Sequence, residues 1–91
     1  MEIIKDVERF LNEKIEVAIH DVETNVQPPW VEKKIKKVEM CPDRTHLRIY
    51  FDTFYFFAIP LNSNISQSEL NWSAYDDASG LYYLIRKKRP F

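Results

Sequence analysis

The chain has 91 residues, 45% of them hydrophobic, 30% charged and 14% aromatic, and a formal net charge of −1. That length carries one domain and no second core, and the composition is that of a folding chain, not a disordered one. No apolar run approaches the ~20 residues of a membrane span, and Cys41, the single cysteine, rules out an internal disulfide or a cysteine-rich zinc site.

The sequence starts with an apolar stripe at helical spacing, Ile4, Val7, Leu11, Ile15, Ala18 and Val22. It predicts one helix from about residue 2 to about 23, ended near Asn25 and barred from continuing by Pro28-Pro29. A competing reading ends the helix near Glu13 and makes Ile15, Val17 and Ile19 an alternating strand, since Val17 misfits the long helix. The next stretch, about 30–40, is two-sided. Val31, Ile35 and Val38 have helical spacing, whereas a strand there needs a bulge near Lys36-Lys37. The turn-forming Cys41-Pro42-Asp43-Arg44-Thr45 and the strand signal beyond it favour a hairpin.

Leu47, Ile49 and Phe51 alternate with His46, Arg48 and Tyr50, the period of a half-buried strand over about 46–52. Phe54 to Ile59 is apolar almost throughout, a strand over about 54–60 covered on both faces and stopped by Pro60. The two pair through Asp52-Thr53 at the centre of the sheet. Ser66 and Glu69 then fit a capping box for a single helical turn. Strands over about 71–76 and 81–87 flank a turn in which Gly80, the one glycine of the chain, supplies positive φ. The expected fold class is α+β: an N-terminal helix packed on a twisted antiparallel meander of four to five strands, all in one domain.

Chemistry-bearing motifs are scarce. One glycine removes the P-loop, the dinucleotide fingerprint and the nucleophile elbow. His20 and His46 are the only histidines, so no metal site and no cofactor is expected. His46 as a base for Cys41 or Thr45 is weighed against an outward-facing strand histidine, and the second reading is preferred. No catalytic residue is assigned, and the expectation leans away from an enzyme. Asp76-Asp77 and Asp52 read as turn carboxylates.

Charge is unevenly spread. Residues 1–25 hold seven acids against Lys5, Arg9 and Lys14, while the last eleven residues hold Arg86, Lys87, Lys88 and Arg89 with no acid. The leading functional expectation is a non-enzymatic protein that binds another protein or itself through an aromatic sheet face, with Tyr50, Tyr55, Phe57, Tyr82 and Tyr83 as the surface. The alternative is nucleic-acid binding by a basic patch of Lys33, Lys34, Lys36, Lys37, Arg86, Lys87, Lys88 and Arg89 beside those tyrosines. A third reading places a small-ligand pocket between helix and sheet with His46 at its mouth. No membrane partner is expected, and the lone cysteine and the lack of a basic-then-apolar leader point to the cytoplasm.

Overall fold

A computed structural model describes residues 2–24, 28–52 and 55–88. Among these residues the architecture is mostly antiparallel sheet with one short helix. Helix α1 spans Glu2–Glu8, and eight strands follow: β1 Ile15–Asp21, β2 Val31–Lys33, β3 Lys37–Met40, β4 His46–Tyr50, β5 Phe56–Pro60, β6 Asn64–Gln67, β7 Asn71–Asp76 and β8 Leu81–Lys87. They form two sheets, one of five strands in the order β2-β1-β8-β7-β6 and one of three in the order β3-β4-β5.

The long helix is therefore a correction. α1 is about two turns long, and the chain leaves it through 3₁₀-like bonds from Phe10 N to Val7 O and Leu11 N to Glu8 O, both 3.0 Å. Asn12 then takes a left-handed φ of 64°, a conformation asparagine tolerates better than most residues and one that ends a helix. Beyond it, β-branched Ile15 and Val17 follow the period of two, and both are buried. The helical stripe arose because Ile15, Ala18 and Val22 happen to keep three- and four-residue spacing while serving different faces of a strand and its end.

The 30–40 stretch is neither one helix nor one bulged strand. β2 pairs with β1, β3 pairs with β4, and the chain crosses from one sheet to the other through Lys34-Ile35-Lys36. Ile35 is fully buried at the crossing and bridges Leu11 in parallel. The polar segment expected to make a helical turn is instead the exposed edge strand β6.

β4 and β5 do pair, with Leu47 opposite Ile59 and Ile49 opposite Phe57. β5 lies at the edge of its sheet and is covered on one face only, since Phe57 and Ile59 are buried while Phe56 is 45% exposed. Thr53 and Phe54 of the expected turn and strand lie outside the described residues. Gly80 closes the β7–β8 turn at φ 72°, where Asp76 accepts bonds from Ala78 N (3.3 Å) and Ser79 Oγ (2.7 Å).

The core lies between the inner faces of the two sheets. Ile15, Val17, Ile85, Trp72 and Ala74 come from the larger sheet, and Leu47, Ile49, Phe57 and Ile59 from the smaller. Val7 and Phe10 join the same cluster from the N-terminal segment. Edge-on ring contacts bind the layers together: Phe57 lies 4.9 Å from Phe51 and 5.5 Å from Tyr83, centroid to centroid. Arg9 ties the helix end to the β6–β7 turn, donating to the carbonyls of Ser68 (2.7 Å), Glu69 (3.1 Å) and Asn71 (3.2 Å) while its guanidinium lies over the Phe10 ring.

Trp72 is the largest fully buried side chain, and its indole Nε1 is buried without a hydrogen-bond partner among the described residues. An unsatisfied buried donor costs about 1–3 kcal/mol. Trp72→Phe removes that donor along with part of the ring, so the two effects oppose, and chemical denaturation is expected to show a change within about 1 kcal/mol. Trp72→Ala leaves a cavity and is expected to cost about 3–5 kcal/mol.

Candidate functional site

Two depressions on the surface sit beside the smaller sheet, and Phe56 lines both. Alternation decides which residues reach them. Because Leu47, Ile49, Phe57 and Ile59 point into the core, His46, Arg48, Tyr50, Phe56 and Ala58 must point outward, along with Lys37 and Glu39 of β3.

The first depression, about 530 Å³, is lined by the β3–β4 turn with His46, Arg48, Phe56 and Ala58. None of its lining residues belongs to α1, so the expected pocket between helix and sheet is not where His46 lies. The turn is organised by Asp43. Its Oδ1 accepts from the Cys41 thiol at 2.7 Å, from Thr45 Oγ1 at 2.8 Å and from Thr45 N at 3.2 Å. These donors, the Cys41 thiol foremost and Thr45 after it, pull the Asp43 carboxyl from its ordinary 3.8 down to about 2.

Thr45 Oγ1 also lies 2.8 Å from His46 Nδ1. With its single proton given to Asp43, the hydroxyl accepts from Nδ1–H, which leaves Nε2 of a neutral His46 as the acceptor. Cys41, Thr45 and His46 are thus brought together. The buried thiol, however, is spent as a donor to Asp43, and its sulfur accepts the backbone N–H of His46 at 3.1 Å. That is the bonding of a tight turn holding Arg44 at a left-handed φ of 59°, and it gives His46 no thiol or hydroxyl proton to remove. No group of three or more ligating side chains that could hold a metal occurs among the described residues.

The second depression is a groove of about 370 Å³ between the β1–β2 edge of the larger sheet and the start of β5. Around it stand large apolar side chains that reach solvent: Ile19 (40% exposed), Val31 (48%), Tyr55 (65%) and Phe56 (45%). Lys33 lies at its rim with its ammonium 5.3 Å from the Tyr55 ring centre.

The expected aromatic surface is divided among several faces. Tyr50 is on the outer face of the smaller sheet and Tyr55 is exposed at the groove. Tyr82 is on the outer face of the larger sheet, its ring 4.6 Å from that of Tyr75 and 6.4 Å from that of His20. Phe57 belongs to the core, and Tyr83 packs against it from the inner face. Both positions follow from strand parity, since Phe57 lies opposite Ile49 and Tyr83 opposite Ala74. Burial, and after it the nearby Asp76 charge, push the Tyr83 phenol pKa upward.

The basic residues also separate by environment. Lys33 and Lys87 both pair with Ile15, so β1 brings the two clusters to one end of the larger sheet. Acids stand between them there. Arg86 Nε bonds Glu16 Oε1 at 3.0 Å, with its guanidinium 3.7 Å from the Trp30 ring centre, and Lys88 Nζ bonds Glu32 Oε2 at 2.5 Å. The Lys88 bond draws the Glu32 pKa down and raises that of Lys88. Lys34 and Lys36 are exposed in the crossing between sheets, and Lys37 stands over Tyr50. Arg89 lies outside the described residues. Arg48 lines the first depression and Phe56 both, and neither is among the site residues expected from the sequence. The outward positions of the 46–50 alternation already marked Arg48.

Comparison with protein-family models, with curated proteins and with solved structures finds no match for this chain.

Because the folded pKa of Asp43 lies below its unfolded value, the carboxylate stabilises the turn above about pH 4, and that contribution is lost as pH falls through about 2. Amide resonances of Thr45 and His46 followed by NMR are expected to titrate in that acid range. Asp43→Asn is expected to abolish the transition and lower the melting temperature at neutral pH.

Proposed function

We propose that this protein is a non-catalytic protein-binding module, that the groove bordered by Ile19, Val31, Tyr55 and Phe56 is its contact surface, and that a second copy of the chain is its occupant. What carries the reading is the crowding of exposed apolar side chains at one place. Scattered exposed apolar residues are ordinary, but a contiguous set around a concave floor is the usual mark of an interface.

Self-pairing suits this surface because an isologous contact sets each apolar patch against its own copy. The groove also runs beside the edge strand β5, which pairs with β4 alone among the described residues. An edge left open in this way invites pairing with a further strand. Lys33 at the rim, drawn toward Tyr55, leaves the floor apolar and puts charge at the margin, the usual distribution across an interface.

Sedimentation equilibrium of the purified chain tests this. A dimer burying roughly 1,200–2,000 Å² is expected at micromolar concentration. Val31→Glu, which places a charge on an exposed edge position, is expected to weaken association by at least about tenfold while leaving the circular dichroism spectrum unchanged. A monomer at high micromolar concentration refutes the reading.

A further inference from the structure

The outer face of the smaller sheet carries a second arrangement, which shares Phe56 with the groove. Tyr50 and Phe56 are cross-strand partners on β4 and β5, and their rings lie side by side with centroids 5.0 Å apart at 34°. A cation stands over each. Lys37 Nζ is 4.9 Å from the centre of the Tyr50 ring, and the Arg48 guanidinium is 6.0 Å from that of Phe56. Arg48 also donates to the Tyr50 hydroxyl at 3.4 Å, a contact that raises its pKa further. Beside them the depression of about 530 Å³ opens between Phe56, Arg48 and His46.

From this geometry we propose that the outer face of the β3-β4-β5 sheet binds single-stranded nucleic acid, with bases stacked on Tyr50 and Phe56 and phosphates held by Arg48, Lys37 and the lysines of the sheet crossing. Two features select this ligand. The first is charge. Lys37 and Arg48 stand on this face, and Lys34 and Lys36 lead into it through the crossing, where Lys36 N bonds Tyr50 O at 2.8 Å. The acids beside them are Glu39 and Asp43, in a chain whose net charge is −1. Lys37 shares its charge with Glu39 at 3.4 Å, but that pair is exposed and therefore weak enough to exchange for a phosphate.

The second feature is the interleaving of rings and cations on one face. A duplex hides its base faces within its own stack, whereas a single strand offers them to aromatic side chains. Arginine adds contacts of its own, because its planar guanidinium stacks and also grips phosphate oxygens in pairs. His46 faces the same depression through an imidazole whose Nδ1 is tied to Thr45, which leaves Nε2 for a phosphate oxygen when protonated or a base edge when neutral.

Fluorescence anisotropy of the full chain with a labelled oligothymidylate tests the proposal. Binding at low salt is expected to weaken with a log–log salt slope of about −2 to −3, corresponding to three or four phosphates contacted on a single strand. Tyr50→Ala is expected to lower affinity about 5- to 100-fold and Tyr50→Phe to restore it, since stacking needs the ring and not the hydroxyl. Arg48→Gln is expected to weaken binding and flatten the salt slope by about one contact. Val31→Glu, which disrupts the groove, is expected to leave oligonucleotide affinity unchanged, so failure here and failure of self-association remain distinct. Phe56 borders both surfaces and is left unaltered. Thermal melting of each variant separates lost binding from lost folding, and the Tyr50→Phe and Arg48→Gln pair carries the test if Tyr50→Ala does not fold. Absence of binding at low salt, equal affinity for duplex, or binding indifferent to both Tyr50 and Arg48 would overturn the proposal.

Discussion

Everything else in this structure rests on the pairing of β1 with β8. All seven residues of each strand are matched, from Ile15 opposite Lys87 to Asp21 opposite Leu81. The final strand of the chain is thereby the middle strand of the larger sheet, with β1 on one side and β7 on the other. Long-range pairings of this kind are slow to form, since the closure entropy must be met before any ladder bond repays it. The pairing also fixes the inner face, because Val17 opposite Ile85 and Ile85 opposite Trp72 put three buried side chains in a row across three strands. Without β8, β1 and β7 have no common neighbour and the larger sheet falls into two hairpins.

The same pairing explains what becomes of the basic C-terminal stretch. From the sequence, Arg86 and Lys87 close the last strand and, with Lys88, form one half of a basic patch. In a middle strand each residue has neighbours on both sides, and Arg86 finds Glu16 across one of them. The acids of the N-terminal region are thus placed by strand register and not by helix geometry. Lys88 finds Glu32 beyond β1, on the other side of the sheet's first hairpin. These are exposed or half-exposed pairs, each contributing little to stability. Their larger effect is on the field around the molecule. At that end of the larger sheet Arg86 and Lys88 are met by acids, whereas Arg48 on the smaller sheet is bonded to a neutral phenol, that of Tyr50.

Elements whose local signal agreed with their tertiary role were legible in the sequence. Leu81–Lys87 alternates, Gly80 needs a left-handed turn, and His46–Tyr50 shows a clean period of two. Misreading came where one residue set satisfied two periods. Ile15, Ala18 and Val22 extend the helical stripe of Ile4 and Val7, while the alternation of Ile15, Val17 and Ile19, and the misfit of Val17 in a long helix, argue for the strand. Ile35 was harder still. It belongs to neither flanking strand, and its burial comes from crossing between two layers, a relation with no periodicity to detect. Reading one sheet where there are two followed from that. The candidate surface suffered in turn, because the faces of Tyr50, Phe56, Phe57 and Tyr83 depend on which sheet each strand joins and on the parity within it.

Edges impose the final constraint. A sandwich of a five-stranded and a three-stranded sheet has four edge strands, β2, β6, β3 and β5. β6 guards itself with the polar Asn64, Ser66 and Gln67, and β3 with Lys37 and Glu39. β2 is three residues long, too short to template much pairing. β5 has none of these protections. It carries Phe56 at its exposed start, Phe57 and Ile59 in the core, and a proline only at its far end, Pro60. A natural sheet retains an unguarded, aromatic edge where something else covers it. The two depressions meet at that edge, one apolar and one lined with cations, so the least protected strand of the fold borders both of its candidate binding surfaces.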